Sequence, residues 1–316
     1  MIYVLRHRTT YAYEEPVTFA RCVLRLTPRT TDAQTVITSA IEVTPEPSDS
    51  RDGTGPFGER TRTVVIDTPH TTLVIDAHAR VDVHAGPAPD PARSLAWEAV
   101  RAASLKSRAL GPDGPAAYLY PTRRTPAAPV ITDYARQSFP GGRPIVEAAA
   151  ELMTRIRDEF TYDPDATTVS TPALTAFTAR HGVCQDFAHV MISGLKGLGL
   201  PAAYVSGYLR TVPPPGKPRL EGADATHAWV SLWCGEAEGW IGFDPTNALI
   251  VRNDHIVLAI GRDYSDVAPI DGILLAPGAQ TLKVEVDVIP QDEPEAAPAL
   301  VATARSRASA RASRHR

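Results

Sequence analysis

Three residues arrive in an order suited to acyl transfer. Cys184 opens the segment GVCQDFAH, His227 opens the alternating run HAWVSLW, and Asp244 closes GWIGFDPTN. A thiol attacks as thiolate, and a helix N-terminus or an adjacent imidazolium lowers its pKa. Cys184 precedes apolar residues at Phe187, Met191, Leu195 and Leu198, the stripe of a helix that stops at Gly199 and Pro201. Its sulfur is therefore expected where unpaired backbone N–H groups converge, and these could also hold an oxyanion.

The other two residues follow from strand parity. His227, Trp229, Ser231 and Trp233 share one face of a strand; Trp240, Gly242 and Asp244 share a face of the next. A hairpin closed between Gly235 and Glu236 predicts His227 directly opposite Asp244. The carboxylate would then hold one imidazole nitrogen and leave the other for the thiol proton. Each residue also has an ordinary reading. A lone cysteine in a helix is commonly a small buried hydrophobe, and Asp-Pro-Thr-Asn is a common turn.

Those residues need elements to carry them. With 316 residues, 43% hydrophobic and 22% charged, the chain is long enough for two globular domains. Residues 3–13, 22–27, 35–43, 60–67 and 73–83 alternate and are separated by turn material, which predicts a β-sandwich over 1–85. A proline-rich linker and irregular region is expected over 86–128, with a short helix around 95–105. The second domain, 129–290, should carry a helix over 145–160, the Cys184 helix, a strand over 203–209, the hairpin and a closing strand over 281–289. The fold class is thus α+β, with the catalytic core built on an antiparallel sheet.

From Arg305 onward the chain has five arginines and no acidic residue. Residues 291–316 read as a disordered Arg/Ala/Ser tail, with contact to an acidic partner as the alternative. A net charge of −4 gives no sign of a nucleic-acid binder, and no apolar run approaches the roughly 20 residues of a membrane span. Cys22, Cys184 and Cys234 form no paired disulfide framework and fit no usual zinc spacing. With no secretory pattern at the N-terminus, a reducing, cytoplasmic location is expected.

At these residues the sequence resembles the bacterial transglutaminase-like superfamily. The resemblance runs through GVCQDFAHVMISGLKGLGLPAAYVSGYL, DATHAWVSLW, GWIGFDPTN and HIVLAIGRDYSDVAPIDG. The opening YVLRHRTTYAYEEPVTFARCVLRLTPR resembles the β-rich N-terminal domain that accompanies this core. The resemblance implies a papain-like core with Cys184 as nucleophile, His227 as base and Asp244 as orienting acid, and no metal or organic cofactor. Animal-type transglutaminases carry tryptophan after the cysteine, where this chain has Gln185, so the resemblance implies the superfamily's chemistry more than protein cross-linking. Many bacterial members are thought to be peptidases or amidases.

The expected activity is therefore cleavage of a peptide or glutamine-type amide through a thioester. The alternatives are transfer of the acyl group to an amine, or a non-catalytic binding or scaffold role. Gln185, Asp186 and His189 flank the nucleophile and could line the groove or support it. Tyr208 and Trp229 could wall a substrate cleft or pack in the core. His255 and Arg262-Asp263-Tyr264 match the family's C-terminal motif without an assigned role.

Overall fold

The computed structural model describes residues 1–109, 111–211, 225–275 and 278–291. The expected tail, apart from Gln291, and most of the proline-rich loop after Arg210 lie outside the described residues.

The first 83 residues contribute β1 (Ile2–Val17), β2 (Phe19–Leu24), β3 (Gln34–Thr44), β4 (Asp49–Thr54), β5 (Arg60–Ile66) and β6 (His70–Val83). The remainder contributes α1 (Trp97–Lys106), α2 (Pro129–Arg136), α3 (Ile145–Glu159), β7 (Thr161–Tyr162), α4 (Ala173–Ala179), β8 (His181–Gly182), α5 (Cys184–Gly197), β9 (Ala202–Leu209), β10 (Ala225–Trp233), β11 (Trp240–Asp244), β12 (Leu249–Ile250), β13 (His255–Gly261), α6 (Tyr264–Val267), β14 (Ile270–Leu275) and β15 (Gln280–Pro290).

Two four-stranded antiparallel sheets form at the N-terminal side, ordered β15-β1-β6-β3 and β14-β2-β5-β4. Tyr13, Val17, Leu24, Ile66, Leu73 and Ile75 come from both sheets and bury one shared cluster. Alternation along β6, from His70 to Val83, turns one apolar row inward and leaves polar residues outside. The strand expected over 281–289 forms, but its place differs from the expectation. β15 pairs with β1 and β14 pairs with β2, so the last described strands join the N-terminal sheets and not the core assigned to 129–290.

Residues 86–128 also depart from a free linker. Trp97 and Val100 of α1 enter the large helical core. Tyr118 is buried between Phe57, 5.7 Å away, and Trp240, 5.1 Å away. Arg29 adds an ion pair to Asp113 at 2.6 Å. Aromatic surface of this size is too costly to leave in water, so the segment docks on both halves of the molecule.

The core sheet has the order β12-β11-β10-β9-β13 and is antiparallel throughout. Against it lies α5, whose residues from Gln185 to Lys196 are all buried, the pattern of a helix surrounded by protein. Two glycines let α2 approach it closely. A Cβ at Gly194 would stand 2.7 Å from Ala135 Cβ, and one at Gly197 1.9 Å from Thr132 Oγ1. The sheet also meets β1, β6 and β15, through Tyr208, Ile256 and Leu258. Gln34 fastens this seam: its amide gives to Val257 O and takes from Val257 N–H, both at 2.9 Å. Among the described residues, no helix is long and apolar enough to cross a membrane.

Candidate active site

The position of Cys184 is set by the turn before it. Arg180 ends α4 in the left-handed region at φ 58°. Its guanidinium lies over the rings of Phe177, Phe160 and Tyr134 at 4.2 to 4.7 Å, an arrangement that anchors it. From there β8 pairs in parallel with β7, and Gly182 enters a space that a side chain would fill: a Cβ would meet Asp186 Oδ2 at 2.6 Å. Asp186 accepts the Val183 N–H at 2.9 Å and the Thr167 hydroxyl at 2.6 Å, the acidic half of a capping box. Valine has no acceptor to complete the other half.

Cys184 is thereby the first residue of α5, half-buried, with a free thiol. The N–H groups of Asp186 and Phe187 already go to Val183 O. Those of Cys184 and Gln185 lie at the helix mouth, where the helix offers no carbonyl of its own.

His227 stands beside this thiol. It lies close enough to Cys184 for the two to interact electrostatically, and its Nε2 donates to Asp244 Oδ2 at 2.8 Å. Because Nε2 is committed to the carboxylate, Nδ1 is the nitrogen left for sulfur. The hairpin that brings them together is longer than expected. Val230 pairs with Phe243 and Trp233 with Trp240, and Cys234 N–H closes the loop on Gly239 O at 2.8 Å. Continuing that register puts Trp229, not His227, across from Asp244. The slip is two residues, so facing is preserved and the imidazole reaches the carboxylate diagonally.

Asp244 is fully buried and fully used. Oδ2 accepts from His227, from Asn247 Nδ2 at 2.7 Å and from His255 Nε2 at 3.2 Å. Oδ1 accepts the N–H groups of Thr246 at 3.0 Å and Asn247 at 3.3 Å, which is what the Asp-Pro-Thr-Asn turn contributes. Burial opposes its charge, but these donors win and hold the carboxyl well below the usual range. Burial likewise works against a charged His227. Its hydrogen bond to Asp244 and its interaction with the nearby Cys184 and Asp244 outweigh that and lift it to about 9. The ligand atoms of His227, Asp244 and His255 lie within 4.8 Å of one another, and the separations to the carboxylate are hydrogen-bond lengths.

The remaining expected residues take varied places. Gln185 is buried and donates to Val169 O at 3.1 Å, holding the loop beside the thiol. Asp186 and His189, each 1% exposed, do not line a groove. His189 accepts the Tyr264 N–H at 3.2 Å and ties α5 to α6, and burial pushes its imidazole down to about 3. Trp229 is buried behind His227, 6.1 Å from its ring and 5.1 Å from that of His255. Gly207 makes room for it, since a Cβ there would meet the indole at 2.5 Å and Ile256 O at 2.1 Å. Tyr208 belongs to the seam with the N-terminal sheets, where its hydroxyl meets His7 Nδ1 at 2.9 Å. Strand β9 is buried on both faces, so parity could not tell which layer Tyr208 enters.

Two residues near the thiol escaped the sequence reading. Tyr162, 51% exposed, packs edge-on to Phe187 and lies close enough to Cys184 to feel its charge. Asn247 is the side-chain donor on Asp244; its signal was the turn itself.

Comparison with known proteins gives the chain's family. The bacterial transglutaminase-like N-terminal region matches residues 3–82, and the transglutaminase-like superfamily matches residues 132–245. An uncharacterized protein of Mycobacterium tuberculosis (strain ATCC 25618 / H37Rv) is 40% identical over 307 residues, covering 91% of this chain and 92% of that one. The chain belongs to the transglutaminase-like superfamily. A protein-glutamine gamma-glutamyltransferase of Pseudomonas aeruginosa is 33% identical over 134 residues, 40% of this chain and 19% of that one. The fold is similar to that of a crystal structure from Cytophaga hutchinsonii described as a candidate cysteine protease. The TM-score is 0.70 at 20% identity, over 93% of this chain and 92% of that one. These likenesses support a cysteine-based enzyme of this superfamily.

Proposed function

We propose that this superfamily member is a cysteine peptidase or amidase with Cys184, His227 and Asp244 as its catalytic residues. The reading rests on one observation: a single imidazole is hydrogen-bonded to a buried carboxylate and lies within electrostatic reach of the thiol. Cys184 Sγ attacks the carbonyl carbon of a peptide or glutamine-type amide while the proton of the thiol resides on His227 Nδ1. The oxyanion forms at the mouth of α5, against the Cys184 and Gln185 N–H groups. His227 returns the proton to the leaving amine, and a thioester remains. Water, deprotonated by His227, adds to the thioester; the acid leaves and the thiol is regenerated. Asp244 keeps the imidazole upright and balances its charge throughout. The substrate is a peptide or protein, and a reducing compartment keeps the free thiol active.

Transfer to an amine shares every step up to the thioester, and the partial likeness to a glutamyltransferase favours it as the second reading. Mass analysis of a glutamine-containing peptide incubated with the enzyme and a primary amine distinguishes them. Hydrolysis gives the free acid or cleaved peptide; incorporation of the amine overturns simple hydrolysis. Cys184→Ala should abolish both, and activity surviving in it would remove the proposed nucleophile.

A further inference from the structure

His255 makes a bond that the proposed chemistry has not yet used. It opens β13, is 5% exposed, and its Nε2 donates to the oxygen of Asp244 that also receives His227. The carboxylate only accepts, so both imidazoles must carry their proton on Nε2. His255 Nδ1 is buried with no hydrogen-bond partner among the described residues. A buried imidazole with an unused nitrogen is costly where packing alone is needed, and leucine or phenylalanine would pack there without that cost. Trp229 stands edge-on to His255 at 5.1 Å and fixes its ring plane, while the two imidazole centroids are 6.0 Å apart. The ring is thus built to deliver one N–H to one oxygen.

We propose that His255 is a positioning residue for the reaction: by donating to Asp244 Oδ2 it divides the carboxylate's charge between two imidazoles and governs how firmly His227 holds its proton. This rests on the function proposed above. A carboxylate with fewer donors is a stronger partner for an imidazolium. His227 would then keep a proton that it has to surrender to the leaving amine. His255 corrects this without contact with the substrate. Among the described residues, the charged and titratable groups facing His227 are Cys184 from α5, Asp244 from β11 and His255 from β13. Next to His255 in the chain is Asp254, which is occupied by Tyr3 Oη at 3.1 Å and Arg210 at 3.5 Å.

The test compares two substitutions in the full chain. His255→Gln places an amide N–H near the position of Nε2; His255→Phe keeps the ring and removes the donor. His255→Asn, polar but too short, removes the donor in a second way if the phenylalanine variant does not fold. The His227 ring is titrated by NMR in histidine-labelled protein, assigned with His227→Gln. Iodoacetamide labelling of Cys184 is followed against pH in parallel. Phe and Asn variants should raise the His227 midpoint by about half a pH unit and lower kcat/KM about threefold, with Gln close to wild type. A midpoint that stays or falls without the donor overturns the proposal, as does a Gln variant that behaves worse than Phe, which is what packing alone predicts. Unselective labelling of Cys184 in the wild type would instead defeat the proposed function, while the NMR midpoint still decides the role of His255.

Discussion

Two buried histidines, one in the candidate site and one in the seam with the N-terminal sheets, respond to burial in opposite ways. His227 faces Asp244 and Cys184 and is lifted to about 9. His7 lies in the seam with the N-terminal sheets, meets the hydroxyls of Tyr208 at 2.9 Å and Thr9 at 3.0 Å, and is pushed down by burial to about 4. Hydroxyls can satisfy an imidazole's hydrogen bonds but cannot pay for its charge. Only a carboxylate held ionised by other donors does that. His189, buried on α5 with a backbone partner, follows His7 and not His227. The site is therefore distinguished from the settings of His7 and His189 by one residue, Asp244, and by the turn that saturates it.

The sharpest way to break the contrast is Asp244→Asn. It removes the charge but keeps the shape, so His227 should fall to the low range of His7. We expect kcat/KM to drop by about 10³ to 10⁴, by analogy with the loss of an orienting aspartate elsewhere. In the wild type, activity that needs a charged His227 should persist through neutrality and decline through about pH 9. Stability has the same sign. The raised His227 contributes fully below its unfolded pKa of about 6.5 and loses that contribution as pH rises through about 9. The depressed Asp244 contributes above its unfolded pKa of about 3.9 and loses it on acidification. A pH series of denaturant melts on wild type and Asp244→Asn checks both signs.

Next in size is Trp229→Ala. Emptying a fully buried indole site costs about 3 to 5 kcal/mol. Because Trp229 backs both imidazoles, the loss should lower kcat more than it raises KM; a pure KM effect would return it to the substrate cleft.

At the seam, His7 makes the opposite pH prediction from the site. Its lowered pKa means that the unfolded chain binds the extra proton first, so stability falls as pH drops from about 6.5 toward about 4. His7→Gln should flatten that decline, read by thermal melts, and leave kcat/KM at neutral pH unchanged. Tyr208→Phe is the smallest change. It removes one hydroxyl from the seam, costs about 1 kcal/mol, and should leave the kinetics alone. A kinetic effect in Tyr208→Phe would blur the division between seam and site.

Much of this site was legible in the chain. The helical stripe behind Cys184 and the face parity of His227 and Asp244 depend on local periodicity, which sequence carries directly. The exact register did not follow, because the hairpin turns through residues from Cys234 to Gly239 and not through two of them. The two-residue slip was harmless only because strand faces repeat every second residue. The strand at the C-terminal side was equally recognisable, yet its partner was not: alternation identifies a strand but says nothing of its neighbour. Tyr208 and His255 were ambiguous for a related reason, since β9 is covered on both faces and a histidine opening a strand has no signature for the carboxylate it meets.

The pairing of β15 with β1 and of β14 with β2 makes the core an insertion in the N-terminal fold, threaded in between β6 and β14. On a ribosome, the first strands would emerge with two edges open and wait for residues about 270 positions later to close them. Tyr3 pairs with Pro290 and Ile270 with Leu24 only once nearly the whole chain exists. Such distant contacts slow folding and leave one edge of β1 and one edge of β2 open meanwhile. The same closure then staples both ends of the inserted core to one scaffold, so the halves cannot drift apart as beads on a string. A fragment cut after β6 should be the aggregation-prone part, and a fragment beginning at α1 should lose the footing on which β9 and β13 rest.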